Sequence, residues 1–199
     1  MEGLIPYITE AREDTGLTNG KIGIWLFLAS EVMLFGAFFA TYIVMRLGAD
    51  VWPHGWEAQN VPMGTVNTIV LISSSVTMVM AWASLERGDL GKFQLYIAAT
   101  VGFGFVFLII KYFEYTHHIH EGMLPSTNTY LATYFTMTGL HGLHVIFGMV
   151  ANAYFGIMGR SYWDAGDRVL LANRVENSGL FWHFVDLVWI FLFPVLYLL

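Results

Sequence analysis

Five long apolar runs dominate this chain, near 22–45, 65–85, 95–117, 129–158 and 176–199. A helix that crosses a lipid hydrocarbon core needs about 20 mostly apolar residues. Lipid offers the backbone no hydrogen-bond partners, so each crossing segment must satisfy its own N–H and C=O groups as a helix. The expected fold is an all-α membrane protein, a bundle of five transmembrane helices. A short polar tail over 1–20 precedes a transmembrane domain over 21–199. The tail, "MEGLIPYITEAREDTGLTNG", lacks the basic start and apolar stretch of a signal peptide. Composition agrees with a lipid-solvated chain: 12% of the residues are charged, against about a quarter in a soluble domain.

Direction follows from Lys and Arg. Arg12, Lys21, Arg87, Lys92, Arg160, Arg168 and Arg174 fall on one side of the five spans, Arg46 and Lys111 on the other. Positive residues collect in the cytoplasm, so the N-terminus is predicted to be cytoplasmic and the C-terminus to lie on the opposite side. Trp25, Trp82, Tyr96 and Trp182 near the inner ends, and Tyr42, Tyr112, Tyr115, Tyr130 and Tyr134 near the outer ends, are placed as an interfacial belt would be. A net charge of −6 leaves no basic face for phosphates, which excludes nucleic acid as a partner. The chain has no cysteine. Disulfides, thiolate zinc sites, iron–sulfur clusters, C-x-x-C-H haem attachment and a cysteine-built copper pair are thereby excluded.

Ionisable groups inside spans are costly and are functional candidates by default. Glu31 lies in the first span, roughly 14 Å from its inner end. Lys111, Glu114, His117 and His118 close the third span. His141 and His144 lie in the fourth, in "TGLHGLHVIFG", and His183 and Asp186 in the fifth, in "FWHFVDLVWIFLF". An inner-to-middle layer and an outer layer result. His141 and His144, His183 and Asp186, and Glu114 and His117 are each i,i+3 neighbours on one helix face. We expect His183 to donate to Asp186, and that face to meet the His141–His144 face in an interhelical polar network. Glu114 and His117 form an outer-side polar cluster, and Lys111 is spaced to pair with Glu114. Apolar neighbours on every turn around Glu31 predict a protonated or hydrogen-bonded carboxyl turned toward protein or lipid headgroups. Gly139 and Gly142 allow a neighbouring backbone to come close.

The residues alone leave three readings open. A redox enzyme would need a ligand set. A di-iron bundle site wants two Glu-x-x-His motifs and two further glutamates, and this chain has one, Glu114 to His117; a haem with two axial histidines would have to use His144 and His183. A proton-coupled transporter would use the deep Glu31, without the broken helices or inverted repeat of that class. A packing or partner subunit would use the same groups as hydrogen bonds between helices.

Read together, the motifs resemble subunit III of the haem–copper terminal oxidases, in its five-helix bacterial form. "LFLASEVMLFGAFFATY" is similar to the family's span with a buried glutamate, at Glu31. "WPHGWEAQNVPMGTVNTIVLISSS" resembles its Trp-Pro loop and Asn-Thr-x-x-Leu-x-x-Ser segment, at Trp52, Pro53, Asn67, Thr68, Leu71 and Ser74. "EYTHH" matches at Glu114 and Tyr115, "TGLHGLHVIFG" at His141 and His144, and "FWHFVDLVWIFLF" at Trp182, His183, Asp186 and Trp189. The resemblance covers Lys21 to Leu199, with the landmarks in order.

It implies a non-redox accessory subunit of a complex that reduces dioxygen to water and pumps protons. This chain is then expected to hold no catalytic residue, no metal and no cofactor of its own. Haem and copper belong to partner subunits, with structural phospholipid bound. The implied partners are the catalytic subunit I, subunit II, membrane lipids and a larger respiratory supercomplex, in the bacterial cytoplasmic membrane. Glu31 carries over as the buried carboxylate, with a structural or proton-related role. The larger family form has two further N-terminal helices that close a lipid-holding cleft; a short acidic tail stands here instead, so lipid sites built by those helices do not carry over. The five-helix form also occurs in quinol oxidases and in proteins associated with nitric oxide reduction. Glu31 and the Trp-Pro loop resemble the cytochrome c branch more closely.

Overall fold

A computed structural model describes residues 9–199; the first eight residues of the predicted tail lie outside it. The described residues form α1 (Asn19–Gly48), α2 (Gly55–Ala58), α3 (Val61–Glu86), α4 (Leu90–His120), α5 (Thr129–Asp164) and α6 (Arg168–Phe193). A single π-helical segment, Pro194–Leu198, extends α6. Five of these helices are long and apolar enough to cross a membrane, as the apolar runs predict.

Local chemistry sets the helix ends. Side chains of Thr18, Asn60, Asp89 and Asn128 accept hydrogen bonds from the amides of Lys21, Met63, Lys92 and Leu131. Each satisfies an N–H that the first helical turn leaves free. At the far end of α3, Gly88 adopts φ 77°, which only glycine takes without a Cβ penalty. The turn lets the Asp89 amide donate to the Ser84 carbonyl at 2.9 Å, closing the helix. Gly122 closes α4 in the same way, with the Met123 amide donating to His118 at 2.9 Å.

The helices outrun the predicted spans. The segment 159–174, read from the sequence as a connection, is almost wholly helical: α5 continues to Asp164 and α6 begins at Arg168. Hydropathy marks where lipid ends, whereas the helix ends where its caps sit, in water. The loop before α3 also holds the short α2, whose Gly55 lies so close to the C-terminal segment that a Cβ would stand 2.6 Å from the Leu196 carbonyl oxygen.

α6 is the central helix, with α1, α3 and α5 packed around it. Its apolar window is 56% buried, against 11% for α1. Trp182 and Trp189 occupy the middle of the bundle, both fully buried. Their indole N–H groups donate to Ser74 Oγ and Thr68 Oγ1 on α3, each at 3.0 Å. A buried indole needs such a partner. Gly148 admits the Trp182 ring, since a Cβ there would stand 2.7 Å from it.

The predicted aromatic belt is corrected. Tyr42, Tyr130, Tyr134 and Trp182 are interior residues, each less than 3% exposed. The reason is that each finds an acceptor inside. Tyr42 donates to the Val195 carbonyl at 3.0 Å, Tyr130 to the Leu196 carbonyl at 2.7 Å, and Tyr134 to Glu114 at 2.9 Å. Trp25 and Tyr112 remain exposed, as belt residues would be.

Candidate functional site

Two polar clusters lie inside the bundle. The first joins α1 to α5. His144 Nε2 stands 2.9 Å from Glu31 Oε2, and His144 Nδ1 stands 2.8 Å from the Leu140 carbonyl of its own helix. A carbonyl can only accept, so Nδ1 carries a hydrogen. One further proton then lies between Nε2 and the carboxyl, held by either group. The pair is neutral in both arrangements, which keeps the cost of burial low. Phe35 meets the imidazole edge-on at 5.2 Å, and the Phe181 ring lies 6.2 Å from it. Glu31 thus turns toward protein, with its side chain 13% exposed.

The remaining members of the predicted network go elsewhere. His141 is fully buried against Phe107, 5.6 Å away, and Trp189, 5.3 Å away, two rings that also touch each other at 4.9 Å. Neither of its ring nitrogens has a hydrogen-bond partner among the described residues. His183 shares a hydrogen bond of 2.6 Å with Ser75 on α3, not with Asp186. Asp186 is buried beside the same serine, and neither of its oxygens has a hydrogen bond of good geometry. The expected meeting of the His141–His144 and His183–Asp186 faces in one network is therefore not what the fold makes. Successive helical positions turn by about 100°, so i,i+3 side chains diverge by roughly 60°. On helices with several neighbours, that divergence sends the two members to different partners.

The second cluster lies near the Gly122 end of the bundle. Glu114 is a carboxylate with three donors: Lys111 Nζ to Oε2 at 3.0 Å, Tyr134 to Oε1 at 2.9 Å and Tyr197 to Oε1 at 2.6 Å. Lys111 also donates to Tyr134 at 3.1 Å and to Tyr197. Its ammonium lies 5.0 Å from the Trp189 ring centre, in cation–π range. The buried charges are matched and hydrogen-bonded, the condition under which an ion pair survives in an apolar interior.

The spacing of Lys111 and Glu114 anticipates their pairing; Tyr134 and Tyr197 carry no local signal, being 20 and 83 residues from Glu114. His117 turns the other way, toward Glu121 at 3.2 Å, with its side chain 64% exposed. Glu114 and His117 still border one cleft of about 440 Å³ between α2 and the end of α4, though they do not touch. Among the described residues, no group of three or more His, Asp or Glu is arranged to hold a metal ion. What this arrangement does chemically is join helices: α1 to α5 through Glu31, α3 to α6 through Ser75, and α4 to α5 and the C-terminal segment through Glu114.

The family model described as "Cytochrome c oxidase subunit III" matches residues 10–199. The cytochrome c oxidase subunit 3 of Bacillus sp. (strain PS3) is 33% identical over 188 residues, covering 91% of this chain and 86% of that protein. The cytochrome bo(3) ubiquinol oxidase subunit 3 of Pseudomonas aeruginosa (strain PAO1) is 34% identical over 181 residues, 91% of this chain and 85% of that protein. The heme-copper oxidase subunit I+III of Aeropyrum pernix is 30% identical over 184 residues, 89% of this chain and 22% of that longer protein.

Proposed function

Because this chain belongs to the cytochrome c oxidase subunit III family, we propose that it serves its haem–copper oxidase as an accessory subunit that binds no redox centre. Membership makes it a multi-pass membrane protein and a component of an oxidase complex. The observation that carries the accessory reading is the pairing within the two polar clusters. The Glu31–His144 contact and the Lys111–Glu114–tyrosine cluster spend their polar atoms on one another, the arrangement of groups that fasten helices.

In this reading the partners are the catalytic subunit I and subunit II, which hold the haem and copper. The relative from Aeropyrum pernix, named subunit I+III, carries its matching region in one polypeptide, and that fusion supports direct contact with subunit I. The chain resides in a bacterial cytoplasmic membrane with its N-terminus inside, as its Lys and Arg distribution favours. It binds structural phospholipid, stabilises the catalytic subunit and supports proton uptake, with Glu31 as the buried carboxylate. A quinol oxidase is the second reading, favoured by the ubiquinol oxidase relative at 34% identity, against 33% for the cytochrome c oxidase relative from Bacillus.

Mild detergent purification of the tagged chain tests the proposal. Haem-bearing subunits are expected to copurify, and the haem spectrum to leave with them when this chain is stripped off. A haem or metal spectrum retained by the isolated chain overturns it. Turnover of the purified complex with reduced cytochrome c, but not with quinol, separates the two readings of the donor.

A further inference from the structure

His118, in the last turn of α4, is 2% exposed and faces a carbonyl oxygen with each of its ring nitrogens. Nδ1 lies 2.7 Å from the Glu114 carbonyl of its own helix. Nε2 lies 3.3 Å from the Ala58 carbonyl, at the end of α2. The ring stacks on Tyr134 at 5.6 Å and meets Phe135 edge-on at 6.1 Å, so its plane is set from two sides.

A carbonyl oxygen can only accept, and a neutral imidazole has one N–H and one lone pair. Whichever nitrogen keeps the hydrogen in the neutral ring, the other sets its lone pair against that of a carbonyl. The imidazolium donates to both. His144 differs, because the second group it faces is the Glu31 carboxyl, which can carry the hydrogen itself.

The Nε2 contact ties α2 to α4. The amides of α2 bond within their own turn, Glu57 and Ala58 to the His54 carbonyl and Gln59 to Gly55. Ala58, Glu114 and His118 also line the cleft of about 440 Å³ between the two helices, so the contact stands at the edge of a wet space that borders Glu114. The charged and titratable groups around the ring are Glu57 on α2, Lys111, Glu114, His117 and Glu121 on α4, Tyr134 on α5 and Tyr197 in the C-terminal segment. Lys111 and Glu114 neutralise each other, and both phenols donate to Glu114. Glu57 and Glu121 place negative charge along the cleft, and His117 lies at the surface, 3.2 Å from Glu121.

We infer that His118 is a proton-operated latch. Charged, it fastens the end of α2 to α4. Neutral, it admits water from the cleft between Nε2 and the Ala58 carbonyl, and α2 draws away from α4. The latch thereby governs the access of water to the Lys111–Glu114–tyrosine cluster. It depends on these contacts alone, whatever role the chain has in its complex.

Amide exchange in the intact detergent-purified complex provides the test, read by mass on the peptide that holds Glu57, Ala58 and Gln59. The quantity is the protection factor, the rate of an unstructured amide divided by the observed rate at the same pH. It is compared at about pH 5.5 and about pH 8, either side of the ordinary imidazole value of about 6.5. Protection of this peptide is expected to fall roughly tenfold or more at the higher pH, as loss of a hydrogen bond to a charged group would cause. The turn after α5, where the Ala165 and Gly166 amides donate to Ser161 and Trp163, is expected to keep its protection. His118→Gln keeps a donor that does not titrate and is expected to abolish the pH dependence. His118→Phe keeps a ring over Tyr134 without a donor and is expected to hold the peptide at its lower protection at both pH values. Equal protection of the parent chain at the two pH values overturns the latch with no variant needed. A fall that His118→Gln leaves intact, or that the turn after α5 shares, overturns it as well.

Discussion

At the residue scale, the chemistry of this chain is that of buried groups keeping each other neutral. Glu31 and His144 share one proton across 2.9 Å. Glu31→Ala removes one partner and leaves His144 Nε2 buried alone, which costs about 1–3 kcal/mol. Faster thermal inactivation of the purified complex is expected, with haem content per catalytic subunit unchanged. Glu31→Gln keeps a donor toward Nε2 and is expected to lie close to the parent. A hydrophobic carbodiimide, which attacks protonated acids, is expected to label Glu31, and mass spectrometry of the labelled peptide checks it. At Lys111 the stakes are higher, since Glu114 sits beside it and is 2% exposed. Lys111→Met strands that carboxylate and is expected to cost about 3–5 kcal/mol. Adding Glu114→Gln removes the stranded charge and is expected to recover much of the loss, read as the midpoint of thermal aggregation for the two variants.

Elements are held by caps at their ends and by indoles, phenols and glycines along their length. The N-cap carboxyl of Asp89 is held below the usual carboxylate range, first by the hydrogen bond from the Lys92 ammonium and then by the Lys92 amide. The folded chain thus ionises Asp89 at a lower pH than the unfolded chain does. The cap's contribution is full above the unfolded value of about 3.9 and is lost as pH falls through the lower folded value. The protection factor of the Lys92 amide, the exchange rate of an unstructured amide relative to its own at the same pH, is expected to fall below about pH 4, and Asp89→Ala to lower it near neutral pH. In the interior, Gly148→Leu would drive a side chain into the Trp182 ring that now lies against the bare backbone. Overpacking of this kind costs about 1–3 kcal/mol or more, and loss of assembled complex on a native gel is the expected outcome.

The spans themselves were legible because lipid imposes their length and apolar character on the chain. Their true ends were not, because α5 and α6 continue into water, where hydropathy is silent and local caps decide. The polar candidates were legible as residues that do not belong in lipid. Their partners were not. Spacing assigned Asp186 to His183, and the fold gives His183 to Ser75 instead. The tyrosines show the same limit. Position near a span end made Tyr42, Tyr130 and Tyr134 look interfacial, yet a long-range acceptor draws each one inside.

At the scale of the whole molecule, α1 is the helix with the least support. Its named polar ties are Glu31 to His144, Lys21 to Glu176 at 2.6 Å, Tyr42 to the Val195 carbonyl and Arg46 to the Leu199 carbonyl. Removing two of them, with Glu31→Ala and Lys21→Ala together, is expected to free α1 before the rest of the bundle loosens. The chain has no cysteine, so Phe35→Cys on the buried face of α1 provides a single thiol. Its maleimide reactivity is expected to rise severalfold in the doubly substituted chain, while a thiol placed at Phe107 stays protected.

By itself, the sequence determined that this protein lives in lipid, that it crosses five times, and which few ionisable groups lie inside. Those facts depend on composition along a single line of chain, and the solvent reads them locally. The tertiary structure alone decided that Glu31 answers His144, that Glu114 collects two distant tyrosines, and that His141 packs against two aromatic rings. A hydrogen bond between helices depends on which faces the packing turns together, and that orientation is set by every side chain in the bundle at once.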